Sequence, residues 1–368
     1  MPSVRHFQVK SLSIKNLITG SLFASLILTI TTLLTLPLAA QNLPGQLPGG
    51  NHNPGRAQPN KAPRTQGPGK KVDIPIPNQT QLLTKDKFNL AVTYYPPPTN
   101  EEEPDAGKSV VPFIVVHNWK ESREQTNQFA KFLQLQGNAV IIPDLRGHGV
   151  STTIEGRDKP VTYDKLSRDQ RAMVIDDLET CKKFLVKRNN DGEVNIDLLN
   201  VVAVGDMAPV ATQWVLNDWT LFPPKNTSGI KQAQDVKGLV LIAPKKKFGA
   251  YSLSKILKHP LFTSGTGNEM PIMLVWGEDD KVAGRDAKSI YTALEKGRPE
   301  LPEFNSSEER LAAKTLFEAK IEKSEANASQ LIGRENVKGL WKYIANTMTA
   351  KAKLKIDERP WINRASDK

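Results

Sequence analysis

The sequence of 368 residues contains one cysteine, Cys181, which excludes a disulfide within the chain. No histidine follows His259, and residues 201–214 contain neither serine nor cysteine. Residues 1–71 contain no aspartate or glutamate. These absences exclude a disulfide scaffold and limit where a nucleophile or a general base could come from. Because Cys181 lies in a helical pattern, we predict a buried structural thiol at this position.

The net charge of +11 is concentrated at the two ends of the chain. Residues 1–71 carry eight basic residues and no acidic ones, and residues 351–368 carry six basic and three acidic residues. The central part is therefore close to neutral. Since a nucleic-acid-binding domain carries its positive charge in the folded part, the distribution predicts basic flanks and no nucleic-acid partner.

The first 40 residues have the order of a secretory signal peptide. Basic residues precede an uncharged apolar run over residues 17–38, and Ala39 and Ala40 supply small residues before Gln41. This order predicts export to the periplasm or the extracellular space. Residues 16–40 are also long enough to span a bilayer, so an uncleaved membrane anchor is the alternative.

The remaining chain divides into three parts by composition. Residues 41–71 are rich in proline and glycine and predict a disordered linker. Residues 72–348 are predicted to form the folded domain. Residues 349–368 are predicted to be a basic C-terminal tail.

Within the predicted domain, apolar strand-like runs alternate with stretches of helical periodicity. The predicted strands are Phe88–Tyr95, Val111–Val116, Ala139–Ile142, Val201–Val204, Leu239–Ala243 and Ile272–Trp276. The predicted helices are Gln125–Gln136, Leu166–Lys187, Ala208–Asp218 and Arg285–Glu295. The alternation predicts an α/β fold whose parallel sheet is covered on both faces. Residues 245–269, the one candidate lid, are predicted to be a solvated loop.

Two loop motifs and the order of the later strands indicate a family. His117-Asn118 follows one predicted strand, and Asp144-Leu145-Arg146-Gly147-His148-Gly149-Val150-Ser151 follows the next. Residues 200–205 are similar to the strand that enters a nucleophile elbow, and residues 270–280 to the strand that delivers a catalytic acid. Over residues 80–348 the chain therefore resembles the α/β-hydrolase family. The resemblance implies a mostly parallel, twisted sheet of about eight strands with helices on both faces.

The resemblance also locates a nucleophile elbow, and this chain departs from it. Aligned on Gly205, the nucleophile position is Met207, whose thioether cannot be activated by a base. A shift of one residue would instead place Asp206 there, as in the branch of the fold that attacks with aspartate. The oxyanion region is predicted at Ala208 and at Asn118, where the family has glycine.

The catalytic histidine of the family should follow the acid, and none is present after it in this chain. The acid position is matched by Asp280, and Asn327 stands in the region of the missing histidine. An amide has no useful basicity near neutral pH. With no base to orient, Asp280 is predicted to cap a loop, and His117 and His148 are predicted to be structural.

These departures lead to three functional hypotheses. The first is an exported, catalytically inactive pseudohydrolase that binds a small-molecule ligand or a protein. The second is an unconventional or residual hydrolase of ester-type substrates, with Asp206 or a serine such as Ser122 or Ser151 as nucleophile. The third is an envelope-associated interaction protein that reaches the membrane through its N-terminus. No motif with metal-ligand spacing is present, and we predict no cofactor.

Overall fold

A computed structural model describes residues 72–99, 103, 105–220, 225, 229–333, 338–354, 356–358 and 360–364. The predicted signal peptide and linker lie outside these residues. Among the helices of this described part, none is long and apolar enough to cross a membrane.

One mixed sheet of eight strands organises the described residues. Its strands are β1 (Asn78–Leu83), β2 (Asn89–Tyr95), β3 (Pro112–Val116), β4 (Ala139–Pro143), β5 (Leu199–Val204), β6 (Val236–Ile242), β9 (Ile272–Gly277) and β10 (Leu316–Ile321). The spatial order is β1-β2-β4-β3-β5-β6-β9-β10. β2 pairs antiparallel with β1 and β4, and every pair from β4 to β10 is parallel. The predicted fold class is confirmed.

Helices connect the parallel strands. They are α1 (Asn127–Leu135), α2 (Arg168–Ala172), α3 (Val174–Asn190), α4 (Ala208–Thr220), α5 (Leu253–Ile256), α6 (Pro260–Thr263), α7 (Ala283–Lys296), α8 (Ser307–Ala313), α9 (Ala328–Gly333) and α10 (Lys338–Lys353). α3, α4 and α7 bury apolar side chains against one face of the sheet, and α1, α9 and α10 against the other.

The central strands are apolar on both sides because helices cover both faces. β3 shows the pattern, since Ile114 and Val116 pack in one core and Phe113 and Val115 in the other. All of β5 is buried as well. Continuous apolar runs of this kind are what a doubly covered parallel sheet requires, which is why the sequence located these strands correctly.

Three parts of the fold differ from the sequence-based predictions. β1 and β10 were not predicted, because both lie at the edges of the sheet and expose polar side chains, so neither contains a continuous apolar run. Residues 245–269 contain the hairpin β7 (Lys247–Phe248) and β8 (Tyr251–Ser252), followed by α5 and α6, so this segment is structured. The boundary predicted between residues 348 and 349 lies inside α10, and Arg364 is buried. The described tail residues are therefore part of the folded unit.

Candidate functional site

The loops that carry the sequence motifs meet at the carboxyl edge of the sheet. A continuous series of parallel pairs joins β4, β3, β5, β6 and β9, so all of these strands run in the same direction. The residues that follow them therefore emerge on the same side of the sheet. In open α/β sheets this edge is where ligands bind. The turn after β5 is the position of a nucleophile elbow, and it decides what chemistry this edge can support.

The strained residue of the turn after β5 is Gly205. Its φ is +57°, in the region that L side chains rarely adopt, and a helical turn leading into α4 follows at once. A nucleophile elbow places its reactive side chain on this strained strand-to-helix residue. The nucleophile position is therefore occupied by glycine, which has no side chain.

This geometry corrects the positions predicted for the elbow. Met207 has no positive φ and is fully buried in the core, two residues beyond the turn. Asp206 follows the strained residue instead of occupying it. The backbone N–H of Ala208 donates to the carbonyl of Gly205, which removes it from the oxyanion region. The predicted positions were wrong because they were counted from Gly205 by spacing alone, whereas the elbow is defined by a positive φ.

The oxyanion position is filled by a side chain of the chain itself. With Gly205 at the elbow, the N–H that should stabilise an oxyanion belongs to the next residue, Asp206. That N–H donates to Asn118 Oδ1 over 2.9 Å. A Cβ atom on Gly205 would collide with the same oxygen. Asn118, which the sequence placed in the oxyanion region, therefore occupies both the N–H donor and the space that a nucleophile would need.

A carboxylate holds Asn118 in this position. Asn118 Nδ2 donates to Glu121 Oε1 over 3.2 Å, and the hydroxyl of Ser329 donates to the same oxygen. Glu121 lies in the loop after β3, and Ser329 lies in α9, so this cluster joins that loop to the helix. Because both polar atoms of the Asn118 amide have partners, the side chain is fixed in the oxyanion position.

Asn327 and Asp280, predicted at the histidine and acid positions, both cap helices. Asn327 is exposed, and Asn327 and Gln330 exchange hydrogen bonds of 3.2 Å across the first turn of α9. Asp280 Oδ1 accepts from the N–H groups of Val282 and Ala283 at the start of α7. The residue of α9 that faces the elbow is Ala328, whose Cβ would lie 3.4 Å from a Cβ on Gly205. Asn327 is thus not the replacement for the histidine, and Asp280 has the capping role predicted for it.

The two histidines near this edge use both ring nitrogens to fix loops. His117 Nε2 accepts from Leu145 N–H over 3.0 Å, and its Nδ1 is 2.7 Å from the carbonyl of Asn118. His148 Nε2 accepts from Lys120 N–H over 3.1 Å, and its Nδ1 is 3.0 Å from the carbonyl of Arg146. Burial lowers the pKa of His117 to about 3 and lowers the pKa of His148 as well. Both rings are neutral at pH 7, and their acceptor nitrogens are occupied.

Asp206 is the only carboxylate on the elbow itself. Burial raises the pKa of Asp206, and the charges of Lys245 and Lys120 oppose that effect. A carboxylate nucleophile still needs a base to activate the water that releases its ester. Of the described histidines, His117 and His148 are committed to backbone, and His259 accepts from Leu261 N–H at the start of α6. His6 and His52 lie outside the described residues.

Aromatic side chains cover the edge above these loops. The rings of Trp119 and His148 are 4.4 Å apart, and Trp119 is 4.9 Å from Phe248 of the β7–β8 hairpin. Tyr163 stacks on His148 at 4.9 Å. The hairpin is held down by Tyr251, whose hydroxyl donates to the carbonyl of Ala172 over 3.0 Å. Trp119 and His148 are nearly inaccessible to solvent, so the crevice at this edge is packed with side chains.

The structure describes several surface clefts, and the elbow lines none of five prominent ones. The cleft of about 770 Å³ beside the predicted acid position is lined by Asp279 and Asp280 but by no residue of the elbow. Within the described residues, no group of three or more histidine, cysteine, aspartate or glutamate side chains is arranged to hold a metal ion.

The strand order, the single antiparallel strand within it and the elbow after β5 decide the fold. The chain has the α/β-hydrolase fold. No protein-family model and no curated protein matches the chain. Solved structures with similar folds include three hydrolases. A hyperthermophilic esterase from the archaeon Pyrobaculum calidifontis is 11% identical with a TM-score of 0.48, over 77% of this chain and 86% of that one. An α/β hydrolase from Vibrio vulnificus is 15% identical with a TM-score of 0.46, over 74% and 81%. An esterase from Rhizomucor miehei is 11% identical with a TM-score of 0.45, over 76% and 86%.

The sequence did not reveal the residues that close this site. Glu121 and Ser329 are 208 positions apart and carry no motif, so only the fold brings them together. Gly205 was identified as an anchor of the elbow, but not as the residue in the nucleophile position. Its φ depends on the path from β5 into α4, which spacing alone does not give.

Proposed function

We propose that this α/β-hydrolase-fold protein is a catalytically inactive pseudohydrolase whose function is to bind a ligand or a protein on its surface. The observation that carries the proposal is the hydrogen bond from Asp206 N–H to Asn118 Oδ1 beside a glycine at the elbow. One arrangement removes the nucleophile and occupies the oxyanion donor. Acyl transfer requires both.

The lack of a free imidazole among the described residues beside the elbow supports the same conclusion. The side chain that faces the elbow from α9 is the methyl group of Ala328. The nearby imidazoles of His117 and His148 are neutral and hydrogen-bonded to backbone through both nitrogens. The hydroxyl of Ser151 is not placed to act as a nucleophile, because Ser151 Oγ accepts from Ala91 N–H and is fully buried. Ser122 bonds to Gln125 at an exposed helix start.

Packing above the edge supports a role on the surface. Trp119 and Phe248 pack over the elbow loops, and Tyr251 fixes the hairpin that carries Phe248. The crevice beside the elbow is thus filled by side chains of the chain itself, although Asp206 remains partly exposed. Clefts elsewhere on the surface are lined by neither Trp119 nor Phe248 and can take a ligand without moving these rings.

The direct test is hydrolysis of p-nitrophenyl butyrate by the purified full chain under multiple-turnover conditions. We expect no saturable turnover, and we expect the Asp206→Asn variant to give the same slow background rate as the wild type. Exposed lysines react with such esters only once, so a burst without turnover does not count as catalysis. Saturable turnover that Asp206→Asn abolishes would establish the alternative hydrolase with Asp206 as nucleophile.

Export is the second element of the proposal. It is supported by the basic start, the apolar run over residues 17–38 and the small residues before Gln41. Expression in a bacterial host followed by cell fractionation and N-terminal sequencing tests it. We expect exported protein that begins at Gln41. Exported protein that retains residues 1–40 in the membrane fraction would establish the uncleaved anchor and the envelope-associated hypothesis.

A further inference from the structure

A second cleft lies on the surface, between the segment after β6 and helix α7. Its volume is about 350 Å³, at the lower end of the range for small-molecule sites. It is lined by Lys246, Ser254, Leu257, Lys258, Thr263, Ser289, Ile290, Ala293, Leu294 and Gly297. None of these ten residues belongs to the elbow or to the loops around it, so the cleft is separate from the degenerate site.

Rigid apolar side chains form the floor of this α5–α7 cleft. Leu257, Ile290 and Leu294 are each at most 6% exposed and pack in the core below. At one end, Gly297 lies so close to α6 that a Cβ on it would come within 2.9 Å of Thr263. The floor is therefore fixed by the core and does not depend on a mobile loop.

The charge at the rim is positive. Lys246 and Lys258 are the two charged residues that line the α5–α7 cleft, and no lining residue is acidic. Asp286 lies 3.5 Å from Lys246 and neutralises part of its charge. Lys258 is exposed and forms no ion pair with any described residue. The hydroxyls of Ser254 and Ser289, also exposed, add hydrogen-bond donors beside the lysines.

We propose that the α5–α7 cleft binds an amphiphile that has an apolar tail and one anionic head group, such as an alkyl carboxylate. The tail would lie on Leu257, Ile290 and Leu294 and remove their remaining surface and its own from water. The head group would meet Lys258 and the hydroxyls at the rim. The rim disfavours a cationic amphiphile, since nothing acidic lines the cleft to receive it. This inference does not depend on whether the elbow is catalytically active.

Three probes with the same tail and different heads test the proposal: decanoate, decanol and decyltrimethylammonium, each below its micelle concentration. Calorimetric titration of the full chain should show decanoate binding about fivefold more tightly than decanol, the effect of one to two partly exposed charges. Decyltrimethylammonium should bind more weakly than decanol. An equal affinity for all three probes would overturn the proposal.

Variants locate the binding. Lys258→Glu should weaken decanoate binding about fivefold or more, because it replaces attraction by repulsion. Lys255→Glu is the matched control, since Lys255 is exposed on α5, three residues before Lys258, but does not line the cleft, and it should leave the affinity unchanged. Ala293→Phe places a ring in the cleft from the exposed surface of α7 and should abolish binding of all three probes.

Two outcomes would contradict the site. Decanoate binding that survives both Lys258→Glu and Ala293→Phe would place it elsewhere, for example on the apolar run over residues 17–38. Equal losses in Lys255→Glu and Lys258→Glu would show a general charge effect. Thermal unfolding of each variant confirms that the fold is intact, so a loss of binding cannot be attributed to unfolding.

Discussion

Gly205 keeps the backbone conformation of a nucleophile elbow but supplies no side chain at the nucleophile position. As the strained residue of the elbow it keeps the backbone conformation from which catalytic members of this fold present a nucleophile. As a glycine it leaves the space that Asn118 Oδ1 now fills. The hydrogen bond from Asp206 N–H then satisfies a partly buried donor that would otherwise need a substrate or a water molecule. The loss of the nucleophile and the filling of the oxyanion site are thus one structural change.

Substitution of Gly205 by alanine should be strongly destabilising. A positive φ costs an alanine about 1–2 kcal/mol, and the new methyl group would also collide with Asn118 Oδ1. The matched control is Gly156→Ala, where φ is +80° but no atom lies within 4 Å of the added Cβ. Urea unfolding should show a loss for Gly205→Ala that exceeds the control by about 1–3 kcal/mol. Equal losses would mean that Asn118 does not occupy the elbow.

Buried histidines should make the protein sensitive to mild acid. The folded state holds His117 neutral, with a pKa of about 3, whereas an unfolded histidine has a pKa of 6.5. Between these values the unfolded chain binds the extra proton, so stability is complete above pH 6.5 and falls as the pH decreases toward 3. From pH 6.5 to pH 5 the loss from His117 alone should be about 2 kcal/mol. His148 acts in the same direction.

Urea unfolding at pH 6.5 and pH 5 measures this loss. The His117→Gln variant should be less stable at pH 6.5 and should lose less stability between the two pH values, because it cannot bind a proton. Identical pH dependence in the variant and the wild type would rule out His117 as a buried, neutral group.

At the scale of elements, the loop after β4 shows that its sequence motif has a structural role. Arg146 is fully buried and bonds to Asp177 of α3 and to Asp86 between β1 and β2. Asp144 accepts from the N–H and the guanidinium of Arg123, and a side chain at Gly149 would collide with its carboxylate. The Asp-x-Arg-Gly-x-Gly pattern therefore ties three elements together and is required by the fold.

Removal of the Arg146 charge should destabilise the whole domain. The Arg146→Met variant would leave Asp177 fully buried and unpaired, which typically costs about 3–5 kcal/mol. Arg157→Met is the control, since Arg157 is exposed in the following loop and its side chain makes no such bond. Thermal and urea unfolding should show a large loss of stability for Arg146→Met and little change for Arg157→Met. A small effect in Arg146→Met would show that the loop is held by its histidines instead.

At the scale of the whole molecule, the C-terminal segment packs at the amino edge of the sheet, opposite the edge that carries the elbow. The guanidinium of Arg364 bonds to Asp235 and to Asp197, which precede β6 and β5. Burial alone would raise the pKa of Asp197, but Lys237, Lys231 and Arg364 outweigh it and lower the pKa to about 2. The last described residues thus pair with carboxylates that are buried beneath the sheet.

Arg364→Met should therefore unfold the protein more easily, although it lies four residues from the end of the chain. Without Arg364 the fully buried Asp235 keeps only lysine partners, and we expect a loss of about 3 kcal/mol. Arg285→Met, which changes a side chain that is 75% exposed, is the control and should have little effect. Unchanged stability in Arg364→Met would mean that the segment does not dock in solution.

The sequence by itself determined the architecture of this protein. Buried parallel strands need continuous apolar runs, and such runs made β3 to β6 and β9 visible without a structure. It also showed that no histidine follows the acid position at Asp280. The capping role of Asp280 was predicted because no histidine follows it for the acid to orient, and the structural roles of His117 and His148 because Asn118 replaces the glycine of the oxyanion site.

Only the tertiary structure decided which residues close the site and where the domain ends. The elbow is defined by a backbone angle at Gly205, and its closure by a contact between Glu121 and Ser329 across the chain. The folded role of Arg364 depends on acids more than 120 positions away. Local pattern determines which segments become strands and helices, whereas contacts between distant residues form only when the chain is folded.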